Sequence, residues 1–227
     1  DWQVASPMFY AQEIEQRRRD VKVVDINLLR RSWYFDYLKH AHPDMIKRSR
    51  EKIDPYVAIL KQWEGDPAAF SRSRNLTQTI SMAFLEMIQA IVTNEIKLAP
   101  VYITNDVLTA DSLNSYLTRW IPQSYQLVPE GLVFNLTTDQ SFHESPDPHL
   151  RIRGLADGTV RFAQDDAANL KILPAYTRML TNRGKYLASS NQHDRAILAF
   201  KEALALDPHF AAAQQGLAES TAKLAKP

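Results

Sequence analysis

Val21-Lys22-Val23-Val24-Asp25-Ile26 is the stretch on which the fold turns. β-Branched side chains restrict χ1 and favour extended backbone, so the run reads as a short strand. Pro100-Val101-Tyr102-Ile103-Thr104 is a second run of the same kind. Between them the spacing is helical. Trp33, Tyr34, Tyr37 and Leu38 form one stripe, beyond which Pro43 and Pro55 punctuate the chain. Ile53 to Trp63 forms a second helix, which closes at Gly65-Asp66-Pro67. A long helix starts at Asn75 or Thr77, with Ile80, Phe84, Met87, Ile88 and Ile91 on its buried side. Upstream, Ser6 and Pro7 read as a helix start, followed by Met8, Tyr10, Ala11 and Ile14 on one face, and Gln16 to Asp20 as a charged, solvated break. Downstream, Asp111 caps a helix that runs to Trp120. Tyr125 to Leu136 forms a hairpin about Pro129-Glu130-Gly131, and the polar Thr137–His149 forms a mobile loop. Strands alternating with helices predict an α/β domain over residues 1–170, with a mostly parallel, three-layer, Rossmann-like sheet.

Residues 171–227 carry a different pattern. Counted from Thr177, Leu180, Gly184, Leu187, Ala196, Phe200, Ala203 and Pro208 fall at the offsets of a tetratricopeptide-type repeat of about 34 residues. Gly184 and Ala196 let two helices approach, Leu187 and Phe200 fill the space between them, and Asp207-Pro208 ends the second. His209 to Lys226 then reads as a capping helix with Phe210, Ala213, Leu217 and Leu224 inward. One hairpin cannot bury its own faces, so it must dock on a neighbour. Tyr176, Met179, Leu180 and Tyr186 predict that contact, leaving Lys185, Gln192, Lys201 and Gln214 open to a partner.

Composition narrows the function classes. Among 227 residues, 27 Lys and Arg balance 26 Asp and Glu, a net charge of +1 that argues against a nucleic-acid surface. The absence of cysteine excludes disulfides and thiolate zinc sites. The 6 glycines are too scattered for a phosphate-cradling loop, and no nucleophile-elbow or zinc-protease pattern occurs. No cofactor is expected. His40-x-His42 with Asp44 is the nearest approach to a metal set, and reads as a solvated loop, so no metal is expected either. Leu76 to Ile96 is the most apolar stretch, but its Glu86, Asn94 and Glu95 point to a buried helix in place of a membrane span. The opening Asp1-Trp2-Gln3 reads as a cut end.

In a parallel sheet, ligands sit beyond the carboxyl ends of the strands. Those ends carry Trp2, Gln3, Asp25, Asn27, Asn105 and Asp106, a set of carboxylates, amides and an indole. Such groups hydrogen-bond hydroxyls and stack on a sugar face; the same residue types also cap helices and turns. No catalytic residue is assigned. Sequons stand at Asn75 and Asn135.

Pro7-Met8-Phe9-Tyr10-Ala11-Gln12-Glu13-Ile14-Glu15, then Arg19 to Leu29, then Ser32-Trp33-Tyr34 resemble a family of multi-pass membrane proteins. That family has a glycosyltransferase-C-like membrane half and is related to a protein O-mannosyltransferase. Pro100 to Thr104, Arg153-Gly154-Leu155 and Asp157 also look like its landmarks, and a C-terminal tetratricopeptide stretch is common there. An acidic Asp-Asn-Asp-Thr-like signature usually precedes the proline; here Trp2-Gln3-Val4-Ala5 stands in its place. The resemblance implies a soluble C-terminal region facing the periplasm or the extracellular side, with transfer chemistry in an upstream membrane domain. Its partners would be an acceptor protein or other protein partner, with a possible sugar ligand and no nucleic acid. Two alternatives stay open: a free-standing tetratricopeptide adaptor, which would allow a cytoplasmic site, and a sugar-acting enzyme on the α/β sheet.

Overall fold

Proline and glycine breaks divide the first half of the chain into helices. The computed structural model describes residues 2–105, 121–122, 124–151, 154–155 and 158–225, with side chains from Ala5 onward. The chain forms two units, Asp1–Gln123 and Ser124–Pro227.

In the first unit, α1 spans Trp2–Glu13 and carries Pro7 inside it, not at its start. A short 3-10 turn, Leu28–Arg30, leads into α2 (Ser32–Ala41). α3 (Pro43–Arg48) begins on Pro43, whose missing N–H costs nothing at a helix start. α4 (Arg50–Gly65) tolerates Pro55 near its start. It ends where Asp66 caps α5 (Pro67–Arg72) by accepting the Ala69 N–H at 3.0 Å. α6 (Arg74–Glu95) is capped by Ser73, whose Oγ accepts the Leu76 N–H at 3.3 Å. The core gathers Tyr34, Phe35 and Leu38 of α2, Met45 and Ile46 of α3, Ile53, Tyr56 and Leu60 of α4, Phe70 of α5, and Phe84, Met87, Ile88 and Ile91 of α6. The Tyr56 ring meets Phe35 and Phe84 at centroid distances of 5.9 and 5.4 Å, and its hydroxyl donates to the Leu29 carbonyl at 3.0 Å. By length and composition α6 is apolar enough to cross a membrane. Its four core residues are also what a packing helix supplies, although only 22% of its most apolar window is buried.

The expected parallel three-layer sheet is not built. Val21–Ile26 forms no strand. Its side chains do alternate, with Val23 and Asp25 buried and Lys22 exposed. A strand also needs a neighbour to accept its ladder bonds, and the Val21 carbonyl instead accepts the Gln12 side-chain amide at 2.6 Å. Among the described residues there are three short strands: β1 (Val101–Thr104), β2 (Gln126–Glu130) and β3 (Val133–Thr137). β2 pairs antiparallel with β3, Val128 opposite Asn135 and Pro129 opposite Phe134. The hairpin turns at Gly131-Leu132, where Gly131 has φ +61°, so Pro129 lies within the strand and not in the turn.

The second unit joins this hairpin to three helices. A π-helical turn, Ala168–Ile172, enters α7 (Leu173–Ser189), followed by α8 (His193–Leu206) and α9 (Ala211–Leu224). Met179, Leu180 and Leu187 of α7, Ala196, Phe200 and Ala203 of α8, and Ala213 of α9 form one core. Gly184 opens space for the Phe200 ring between α7 and α8, and Pro208 follows the end of α8.

Candidate functional site

The polar segment after β3 is fastened to the helices, contrary to the expectation of a mobile loop. The Tyr186 hydroxyl donates to the His143 carbonyl at 2.8 Å and accepts the His143 N–H at 2.9 Å. Its ring stacks on Phe142 at 5.9 Å. Arg183 Nε donates to the Ser145 carbonyl at 3.3 Å, and Ser145 Oγ donates to the Pro129 carbonyl of β2 at 2.6 Å. Arg195 of α8 grips both Glu144 oxygens, one of them at 3.2 Å. Leu150 packs on the helical core. At the start of the segment, hydrogen bonds from the Ser141 side chain, the Ser141 N–H and His143 hold Asp139 down to about 2. α7 thus has two working faces: Leu180, Gly184 and Leu187 serve the helical core, while Arg183 and Tyr186 serve the segment.

Sequence reading places Tyr186 at a docking contact, and here it clamps the strap. It gives no sign of Arg183, Glu144 or Arg195. The available signal was a tyrosine on a buried helix face, whose hydroxyl requires a partner. Of the residues expected to face a partner, Lys185, Lys201 and Gln214 are exposed, whereas Gln192 is half-buried in the α7–α8 turn.

The expected strand-end residues are placed differently. Trp2 and Gln3 lie in α1, and Asp106 is outside the described residues, as are Asp111, Trp120, Arg153 and Asp157. Asp25 is buried, and its Oδ1 accepts the Asn27 N–H at 2.8 Å and the Leu28 N–H at 3.4 Å, fixing the 3-10 turn. Its own N–H donates to Tyr34 Oη at 3.2 Å, and burial pushes that tyrosine hydroxyl up to about 12. Asn27 is exposed, and its carbonyl accepts the Arg30 N–H at 3.1 Å. Asn105 follows β1, half-buried, and has an interaction of its own. With no parallel sheet, the geometric reason for grouping these residues falls away.

Other chemistry in the first unit is structural. His40 Nδ1 lies 2.7 Å from the Asp36 carbonyl, and burial lowers His42. Among the described residues, no group of three His, Asp or Glu side chains is arranged to hold a metal. Glu95 joins the Val21–Ile26 segment, α3 and α6, with Lys22 Nζ at 2.5 Å and Arg48 Nη2 and Nε at 2.5 and 2.8 Å. Burial alone would raise this carboxyl, but the hydrogen bonds from Lys22 and Arg48 hold it below its ordinary value. Trp33 and Tyr37, one helical turn apart on α2, are exposed, with Tyr37 stacked on buried Tyr34.

Residues 5–46 match the family model described as TMEM260-associated domain 2. The matched stretch runs from α1 into α3 and contains the Asp25 turn and the exposed Trp33–Tyr37 stripe. It also holds most of the residues that carry the membrane-family resemblance, from Pro7 to Tyr34. No curated protein and no solved structure matches the chain. The match links this segment to the TMEM260 family, a family of membrane proteins.

Proposed function

We propose that the chain is a non-catalytic, extramembranous domain of a TMEM260-like membrane protein, and that it binds protein through the helices of its second unit. The match over residues 5–46 is the observation that carries the membrane association. The finer reading follows the sequence resemblance: an upstream glycosyltransferase-C-like membrane half performs the transfer, and this domain faces the periplasm or extracellular side and receives the acceptor or another protein partner. Support for protein binding comes from the tetratricopeptide-like offsets of Leu180, Gly184, Leu187, Ala196, Phe200 and Ala203, all of which pack where α7 meets α8. Lys185, Lys201 and Gln214 then offer exposed polar contacts, one from each helix.

Photo-crosslinking tests this. With a photoreactive residue at Lys201 or at Gln214 in the membrane-bound native protein, both positions should yield adducts with the same protein. A control position on exposed Met82 of α6 should not. Absence of adducts at both test positions, or equal labelling at the control, would remove the protein-binding reading.

A further inference from the structure

The helices of the second unit hold one segment of their own chain much as a groove holds a foreign peptide. Phe142 to Leu150 has no helix or strand of its own. Its backbone is caught by side chains: Tyr186 takes both the N–H and the carbonyl of His143, and Arg183 takes the carbonyl of Ser145. Contacts of this kind read backbone, so they impose little on sequence. Side-chain identity enters at four places, one of them the buried Ser145, whose Oγ donates to the Pro129 carbonyl at 2.6 Å. Phe142 stacks on Tyr186, Glu144 meets Arg195, and Leu150 rests on the helical core.

The fit is imperfect at one point. Glu202, two turns beyond Arg195 on α8, is raised by burial and by the nearby Asp147 carboxylate. Asp147 on the segment thus adds negative charge near a half-buried carboxylate, which Arg183 offsets. His149 also holds a left-handed backbone conformation, φ +46°, unfavourable for a residue with a side chain.

We propose that Phe142–Leu150 is an intramolecular occupant of a peptide slot on α7 and α8. An extended peptide displaces it by presenting an aromatic residue, a carboxylate two positions later and a serine directly after the carboxylate. The proposal rests on the protein-binding reading above and specifies the partner's chemistry.

The probe is a fluorescent peptide with the sequence of Asp139–Leu150. The host is the full chain with Phe142→Ala and Glu144→Ala, which removes two of the segment's side-chain holds. Anisotropy should show this variant binding the peptide at least about tenfold more tightly than the unaltered chain, whose slot is already filled. Adding Arg195→Ala should weaken binding by about two- to fivefold, the loss of a solvent-exposed ion pair. Equal binding by the variant and the unaltered chain, or none by either, overturns the proposal. So does loss of cooperative unfolding in the double variant, because the segment would then be an integral layer of the core. Crosslinks at Lys201 and Gln214 do not depend on the slot, so their presence alongside a negative peptide result removes the slot and leaves protein binding standing.

Discussion

Phe200 fills the centre of the second unit because two glycines leave room for it. A Cβ on Gly184 would stand 2.6 Å from the ring's Cε1, and one on Gly216 would stand 2.3 Å from Cζ. The repeat offsets reveal Gly184 but not Gly216, which faces Phe200 from the third helix, where no offset marks it. Gly216→Ala should destabilise the unit by about 1–3 kcal/mol through overpacking. Phe200→Leu in the same chain should recover part of that loss, as read by denaturant midpoints. An unchanged midpoint for Gly216→Ala would show that the helices do not close on this ring. Glu95 gives a second residue-level expectation. Its folded-state carboxyl is held below the ordinary value, so its stabilising contribution is full above the unfolded carboxylate range and disappears as pH falls through the folded one. Glu95→Gln should lower Tm at pH 7 and shrink the fall in Tm between pH 7 and pH 3. The same fall in both proteins would contradict the clasp.

Two elements show how far local pattern reaches. Val21–Ile26 and Val101–Thr104 both satisfy a strand's side-chain preference, yet only the second becomes a strand. Strand formation depends on a distant partner, and no local feature of Val21–Ile26 reports whether one exists. From that error followed the parallel sheet and the strand-end site. Helices behaved differently: α4, α6 and α8 lie where their apolar spacing and their breaks at Gly65 and Asp207-Pro208 placed them, because helix bonds are local. The Thr137–His149 stretch reads as a mobile loop for the opposite reason. Its prolines and polar residues resemble a free loop, while its anchors, Arg183, Tyr186 and Arg195, lie some 40 to 50 positions along the chain. Tyr186→Phe keeps the ring stacking but leaves the His143 N–H and carbonyl without their partner. That should cost about 1–3 kcal/mol and selectively speed amide exchange at His143. Exchange at His143 unchanged from the parent protein would mean the hydroxyl does not hold the strap.

At the scale of the whole molecule, the helices of both units are legible from spacing, and the lack of a parallel sheet between those of the first unit is not. The Pro7–Tyr34 resemblance carried functional information independent of the fold, since it pointed to a membrane family while the predicted fold was wrong. The match over residues 5–46 supports the membrane part of that reading. The central proposal is that the domain belongs to a membrane protein and faces its periplasmic or extracellular side. The direct measurement is fractionation of cells that make the native full-length protein, followed by protease digestion of intact and opened cells, detected by antibody against residues 171–227. The account predicts that the epitope sediments with membranes, resists carbonate extraction, and is lost to protease in cells whose inner membrane is still sealed. An epitope in the soluble fraction, or one digested only after that membrane is opened, would contradict it.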